Sequence, residues 1–249
     1  MKVLRIGYRA ARLLFTVLWG LLAVRLLYPL LGAARQREVK RQWSRQMLAA
    51  CGLRIQVETA PDGASTPQPG ELVVMNHISF LDILALDALR PVHFIAKSEI
   101  RDWPVIGTLC VHTGTIFIER GRRHAVHQVL GTMARQLREG EVVSFFPEGT
   151  TSDGTRLLPF HTNLFEAAVR GGAPVRPVVL RYEQCGQAST LAAFIDDLSL
   201  LDCALTVLGA RGLSLRLQIL NPVASAGLTR HQLAAQVREV MLVHGAGRI

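Results

Sequence analysis

From residue 53 onward, short apolar runs alternate with helical segments, and this alternation restricts the fold more than any other feature. Strands separated by helices favour an α/β fold with a mainly parallel or mixed sheet flanked by helices. Sites in such sheets lie beyond the carboxyl ends of the strands. The predicted strands lie near 53–57, 71–76, 92–96, 113–118, 141–146, 175–181 and 213–219. The predicted helices lie near 79–89, 124–139, 161–170, 197–209 and 229–244.

Residues 1–34 form an apolar segment that carries arginines. Its uncharged run over 13–24 is followed by Arg25, and a membrane span needs about 20 apolar residues. Three interpretations compete: a cleaved signal peptide, a single transmembrane helix in which Arg25 reaches the interface, and a helix or broken pair lying in one leaflet. Because Arg25 interrupts the apolar run, we expect an uncleaved anchor by one of the last two routes.

Residues 35–52 predict a second, amphipathic helix with a basic face and an apolar face. A basic helix directly after an apolar segment is typical of a membrane-surface element, and the alternative is an ordinary helix that packs one face on the domain. We therefore divide the chain into an anchoring helical segment, 1–52, and an α/β domain, 53–249. The basic face consists of Arg37, Lys40, Arg41 and Arg45, and the apolar face of Val39, Trp43 and Met47.

The positive charge of the chain is concentrated in the same N-terminal region as its apolar segment. The net charge is +9 and the mean hydropathy is +0.26, which together indicate an anionic partner and contact with lipid. Residues 1–45 contain ten basic residues and one acidic residue. A nucleic-acid-binding protein is the alternative, but aromatic residues make up only 6% of the chain. The distribution favours an anionic membrane surface.

The first block of chemical interest follows the apolar run 72–75, where Asn76 and His77 come at the predicted end of a strand. Ser79 is positioned to cap the next helix, which places Asp82 in its first turn. A histidine beside a carboxylate can act as a general base, because the carboxylate fixes the ring tautomer and stabilises the imidazolium. The alternative is a capping box formed by Ser79 and Asp82 alone.

Two further blocks also follow predicted strands. Arg120 ends the run that begins at Gly114, and an arginine there can bind phosphate through two hydrogen bonds. The run 146–151 offers a carboxylate, a glycine and two hydroxyl groups, which suit a polyol phosphate. The alternatives are a solvated basic turn for the first and a capping turn for the second.

These blocks, in this order, resemble the glycerolipid acyltransferase family, which includes the 1-acylglycerol-3-phosphate acyltransferases. The resemblance covers roughly residues 70–180. The first motif, Asn-His-x4-Asp, is met by Asn76, His77 and Asp82, and the second, Gly-x-x-Phe-x-x-Arg, by Gly114, Phe117 and Arg120. The third, Phe-Pro-Glu-Gly-Thr, is met by 146–150, and the fourth, an apolar strand with a proline, loosely by 175–178.

The resemblance implies transfer of an acyl group from acyl-CoA or an acyl-carrier protein to a free lipid hydroxyl, without a cofactor or metal. His77 would be the general base and Asp82 its support. No serine or cysteine nucleophile is needed, in agreement with the absence of a Gly-x-Ser-x-Gly motif. The residues implied to hold the acceptor's glycerol phosphate are Arg120, Glu148, Gly149 and Thr150, with Lys97 as a further cation.

We expect a membrane-associated O-acyltransferase that converts lysophosphatidate to phosphatidate in phospholipid biosynthesis, at the cytoplasmic face of the cell membrane. An alternative acceptor is lyso-ornithine lipid or another lysophospholipid. A thioesterase that uses water is a further alternative, although the phosphate-type blocks disfavour it. We expect no nucleic-acid partner.

Overall fold

A computed structural model of the chain describes residues 2–60, 63–119, 123–195 and 198–247. Within these ranges one eight-stranded sheet has the order β1-β8-β6-β2-β5-β3-β4. The short strand β7 lies off this path and pairs antiparallel with the carboxyl end of β6. The strands are β1 (Arg54–Thr59), β2 (Leu72–Met75), β3 (His93–Lys97), β4 (Ile116–Ile118), β5 (Val143–Phe145), β6 (Val175–Gln184), β7 (Gln187–Ala188) and β8 (Leu213–Ile219).

The sheet is mixed. Strands β6, β2, β5, β3 and β4 run parallel to one another, so their carboxyl ends meet at one edge. Strand β8 is antiparallel to β6, and β1 is parallel to β8. The predicted α/β class with a mixed sheet is confirmed.

Helices cover both faces of this sheet. They are α1 (Lys2–Leu22), α2 (Ala33–Cys51), α3 (Leu81–Leu89), α4 (Ile106–His112), α5 (Arg123–Arg138), α6 (Glu166–Gly171), α7 (Leu200–Gly209) and α8 (Arg230–Val243). Side chains of α2, α3 and α7 form one core cluster, and side chains of α5, α6 and α8 form the other.

Strand β2 lies between the two clusters and has no exposed side chain. Val73 and Met75 enter the first cluster, while Leu72 and Val74 enter the second. This continuous apolar run is typical of a parallel strand that is covered on both faces. The next residue, Asn76, is therefore delivered to the edge of the sheet from a strand that is buried on both faces.

Helix α4 is absent from the predicted elements. It lies between β3 and β4, in a stretch containing Pro104 and Gly107 for which no element was predicted. Gly107 allows the close approach that this turn needs, since a Cβ at this position would overlap the carbonyl group of Arg101. A seven-residue helix of this kind has too few turns for a clear helical period.

Helix α1 packs along the domain. The guanidinium of Arg5 donates to the carbonyl of Gly209 (2.7 Å), and that of Arg9 donates to the carbonyls of Leu208 (3.0 Å) and Ala210 (2.7 Å). These are the unpaired carbonyls at the end of α7, where cations are favoured. Two arginines of the predicted membrane segment thus bind the α/β part of the chain.

The opposite side of α1 is apolar and exposed. Leu4, Phe15 and Leu18 are 78%, 73% and 51% exposed. By length and composition, the helical stretch Lys2–Leu30 is long and apolar enough to cross a membrane. After a break over Ala23–Leu30 the chain folds back into α2, so α1 and α2 form a helical hairpin.

One cation of the basic face of α2, Lys40, is turned into the domain, whereas Arg37 and Arg45 are exposed. The ammonium of Lys40 lies 3.0 Å from the carboxylate of Asp87 and donates to the carbonyl of Val92 at 2.7 Å. The guanidinium of Arg45 donates to the carbonyl of Ala88 at 2.9 Å. The interpretation of this face as a membrane surface is wrong for Lys40, whose side chain is 11% exposed, because Asp87 and the carbonyl of Val92 bind it inside the domain. For the exposed Arg45 it stays a prediction.

Two glycines of α1 test whether the helix is part of the fold. A Cβ at Gly20 would overlap the indole ring of Trp43, whose Nε1 donates to the carbonyl of Thr16 at 2.8 Å, whereas a Cβ at Gly7 would meet nothing within 4 Å. We expect Gly20→Ala to destabilise the protein by about 1–3 kcal/mol through overpacking. We expect Gly7→Ala to be neutral or stabilising by up to about 1 kcal/mol. Thermal unfolding in detergent measures both, and equal midpoints would contradict this packing.

Candidate active site

Asn76 closes the end of β2. Its side-chain amide donates to the carbonyl of Leu180 (3.0 Å), and its side-chain oxygen accepts from the N–H of Leu180 (2.8 Å). The side chain thereby continues the hydrogen bonding between β2 and β6 after the backbone has left the sheet. This anchor fixes the point from which His77 extends.

The next residue pairs with an enclosed carboxylate. Nδ1 of His77 lies 2.9 Å from Oδ2 of Asp82, and the Asp82 side chain is fully buried while that of His77 is 18% exposed. Oδ2 also accepts from the N–H groups of Ile78 (2.7 Å) and Ser79 (2.9 Å). Oδ1 accepts from the hydroxyl of Tyr182 at 2.7 Å. Since Nδ1 is engaged, Nε2 is the ring atom that can take a proton from a substrate.

The predicted capping role of Ser79 is wrong. Helix α3 begins at Leu81 with Phe80 as its N-cap, and no side chain caps it there. The carboxylate of Asp82 instead turns back and binds the N–H groups of Ile78 and Ser79. A charged acceptor forms stronger hydrogen bonds than a hydroxyl group, and here it serves the loop and the imidazole together.

The loop after β5 holds the backbone of His77 from both sides. Oε1 of Glu148 accepts from the N–H of His77 (2.9 Å), and Oε2 accepts from the N–H of Leu158 (2.8 Å). The N–H of Ser152 donates to the carbonyl of His77 (2.8 Å). Burial raises the pKa of Glu148 above its usual range, and the two N–H donors partly offset this shift. Glu148 therefore braces the loop that carries the imidazole.

Phe146 covers one face of the imidazole ring. The two ring centroids are 3.7 Å apart and the planes differ by 12°. Phe94 lies behind Phe146 at a centroid distance of 6.0 Å. An aromatic ring in this position restricts the tilt of His77 and stabilises a protonated imidazole through its π face.

The remaining predicted site residues are less closely connected to this pair. Gly149 adopts a φ of +70° and makes the turn that brings Glu148 under His77, and Thr150 is exposed at the same loop. Lys97 is exposed at the carboxyl end of β3, at the same edge of the sheet as His77 but separated from β2 by β5. Arg120 lies outside the described residues.

Two contacts to the pair were not predicted, those of Tyr182 and of the Phe146 ring. Phe146 was predicted only as a member of the third motif, with no role at the site. Tyr182 faces the same side of β6 as Leu180, and a buried tyrosine needs a partner for its hydroxyl. That need was readable in the sequence, but the identity of the partner was not.

A family model described as Acyltransferase matches residues 55–181, which include the ends of β2, β4 and β5 and most of β6. This chain belongs to the acyltransferase family. The resemblance predicted from the motifs is therefore confirmed, and so is the assignment of the chain as an enzyme that transfers acyl groups.

Relatives of this acyltransferase differ in their named acceptors. The chain is 38% identical, over 97% of its length, to 93% of a lyso-ornithine lipid O-acyltransferase from Pseudomonas aeruginosa. It is 38% identical, over 69% of its length, to 66% of a 1-acyl-sn-glycerol-3-phosphate acyltransferase from Neisseria meningitidis. The crystal structure of the 1-acyl-sn-glycerophosphate acyltransferase of Thermotoga maritima shares the fold, with a TM-score of 0.68 at 19% identity over 98% of this chain and 95% of that one.

Adjacent phenylalanines of this acyltransferase test the ring stacked on His77. Phe146 faces the imidazole, whereas Phe145 points to the other side of the sheet and packs edge-on against Phe165 at 5.3 Å. We expect Phe146→Leu to lower kcat about tenfold, because a stacked cation–aromatic contact is worth about 1–2 kcal/mol. We expect Phe145→Leu to lower the unfolding midpoint while leaving kcat within about twofold of wild type. An equal loss of kcat in both variants would assign the effect to the core.

Proposed function

We propose that the protein transfers a fatty acyl group from a thioester to the free hydroxyl of a lysolipid, with His77 as the general base. The observation that carries this proposal is the 2.9 Å contact between Nδ1 of His77 and Oδ2 of the enclosed Asp82. It supports an imidazole whose Nδ1 is held by the carboxylate and whose Nε2 is left free to meet the substrate hydroxyl. Membership of the acyltransferase family supports the reaction class.

The reaction requires one proton transfer in each direction. Nε2 of His77 removes the proton of the lysolipid hydroxyl as its oxygen attacks the thioester carbonyl. The tetrahedral intermediate collapses with cleavage of the C–S bond, and the imidazolium returns the proton to the leaving thiolate. Asp82 holds the ring and stabilises the imidazolium between these steps. The lysolipid oxygen attacks directly, so no acyl-enzyme forms.

The acceptor lies against the loop that braces His77. Glu148, Gly149 and Thr150 flank the imidazole at the carboxyl edge of the sheet, where Lys97 adds a cation. Each Glu148 oxygen accepts one N–H and keeps a second lone pair for a hydroxyl of the acceptor. The sequence motif assigns Arg120 to a phosphate of the acceptor when one is present.

Lyso-ornithine lipid is the favoured acceptor. The similarity to a relative named for that lipid extends over nearly the whole of both chains, including the N-terminal helices, whereas the match to the Neisseria meningitidis relative covers 69% of this chain. Lysophosphatidate, the acceptor expected from the motifs, is the second candidate, and that relative supports it. The two acceptors differ chemically in the head group, which is an amino acid in one and a phosphate in the other.

The donor is acyl-CoA or an acyl-carrier protein, and the reaction takes place at a membrane. The exposed apolar side of α1 supports insertion into lipid, and the cytoplasmic face of the cell membrane is where either donor is available. The exposed cations Arg12, Arg25 and Arg35 of the N-terminal helices suit anionic head groups.

His77→Ala tests the base. We expect acyl transfer to fall by about 10²–10⁴, the contribution of a positioned general base, while membrane flotation and a cooperative unfolding transition are retained. The matched control is His231→Ala, which removes an exposed imidazole from α8 and is expected to retain full activity. A His77→Ala enzyme within about tenfold of wild type would remove this residue from the mechanism.

A panel of lysolipids with a labelled acyl donor tests the acceptor. We expect the highest kcat/KM with lyso-ornithine lipid and a lower value with lysophosphatidate. Arg120→Ala separates the two candidates further, because it should raise the KM only for the phosphorylated acceptor. Preference for lysophosphatidate together with a raised KM in Arg120→Ala would establish the second candidate instead.

A further inference from the structure

Tyr182 lies directly beyond the residues matched by the family model and outside all four sequence motifs. Its side chain is 1% exposed within the first core cluster, and its hydroxyl donates to Oδ1 of Asp82 at 2.7 Å. Resting on the proposed role of His77, we propose that Tyr182 is a positioning residue that sets the orientation and the basic strength of His77 through Asp82.

The two oxygens of Asp82 have different partners. Oδ2 receives Nδ1 of His77 and the N–H groups of Ile78 and Ser79, and Oδ1 receives the Tyr182 hydroxyl. Donors on both oxygens prevent the carboxylate from rotating about its Cβ–Cγ bond. A fixed carboxylate plane fixes the direction of the imidazole that is bonded to it, and with it the position of Nε2.

The phenol also adjusts how much negative charge Asp82 offers to the imidazole. A hydrogen bond at Oδ1 draws charge away from Oδ2, so an imidazolium at His77 is stabilised less than it would be by the same carboxylate without the phenol. Because its protonated form is stabilised less, the His77 imidazole stays unprotonated, and so able to act as a base, down to a lower pH.

The Tyr182 hydroxyl keeps its proton throughout. Burial raises the pKa of Tyr182 well above its usual range, and the charge of Asp82 and the hydrogen bond to it raise it further. The other titratable groups that act on this cluster are Glu148, from the loop after β5, and Cys203, from α7. Neither is a donor to Oδ1, so Tyr182 supplies that hydrogen bond among the described contacts.

Packing alone does not account for a tyrosine at this position. The ring is enclosed by apolar side chains of the first core cluster. A phenylalanine ring would fill the same space equally well. A phenol placed in such a core must satisfy its hydroxyl, and this one is directed at the carboxylate of the site rather than at a backbone carbonyl. The Tyr182→Phe variant therefore separates packing from positioning.

The test compares Tyr182→Phe with Tyr28→Phe. Tyr28 is the matched control because its hydroxyl is also buried and donates, at 3.2 Å, to the backbone carbonyl of Gln36, away from the site. We expect Tyr182→Phe to lower kcat about tenfold, as for loss of one hydrogen bond to a charged group, with an unchanged KM for the acceptor. We expect the acid limb of its kcat/KM profile to move up by about 0.5–1 pH unit. Tyr28→Phe should leave the profile in place.

A second measurement strengthens the hydrogen bond to Asp82 instead of removing it, and it keeps the hydroxyl of Tyr182. The chain has three tyrosines, so 3-fluorotyrosine incorporated into a Tyr8→Phe/Tyr28→Phe protein labels position 182 alone. The fluorinated phenol is the stronger donor, and we expect the acid limb to move down. This protein remains informative if Tyr182→Phe does not fold.

An acid limb of kcat/KM that moves up in Tyr182→Phe and down in the 3-fluorotyrosine protein would support the inference. Profiles that overlay that of wild type, or a loss of kcat without displacement, would overturn it and assign Tyr182 to the core. The proposed function fails separately, because retention of activity by His77→Ala would remove the base itself. An inactive His77→Ala enzyme with an unmoved Tyr182→Phe profile would overturn the inference alone.

Discussion

The enclosed carboxylate of Asp82 is the interaction on which the site depends. A fully buried carboxylate has no water to satisfy it and needs protein donors for its lone pairs. Those donors come from the loop after β2, through the N–H groups of Ile78 and Ser79 and the ring of His77, and from β6, through Tyr182. Satisfying one charged group therefore requires the parallel pairing of β2 and β6 to be in register, and it places the imidazole as a result.

Strand β5, the other neighbour of β2, also helps to hold His77. The loop after β5 binds the backbone of His77 at its N–H through Glu148 and at its carbonyl through Ser152, while Phe146 covers the ring. Parallel strands on both sides of β2 thus contribute to one histidine from the same edge of the sheet. The apolar interior of β2 gives this arrangement its rigidity, since the strand is enclosed on both faces.

Local sequence predicted some of this site and missed the rest for a physical reason. His77 and Asp82 are five residues apart, so their proximity was visible in the motif, and the α/β class followed from the period of the apolar runs. The hydrogen bond from Tyr182 depends on the register of β6 against β2, a hundred residues later, which no local pattern encodes. Ser79 failed as a cap because its backbone carbonyl, rather than its hydroxyl, accepts the N–H of Asp82, and helix α3 begins only at Leu81.

The hydrogen bonds from Arg5 and Arg9 to the end of α7 have a consequence for how the enzyme meets lipid. A flexible tether would hold the domain near a bilayer and leave its tumbling free. A helix clamped at one end to α7, and packed through Gly20 and Trp43 against α2, transmits its own tilt to the whole body. Under the proposed insertion of α1, the angle between the carboxyl edge of the sheet and the lipid surface is therefore set by the fold before any substrate binds.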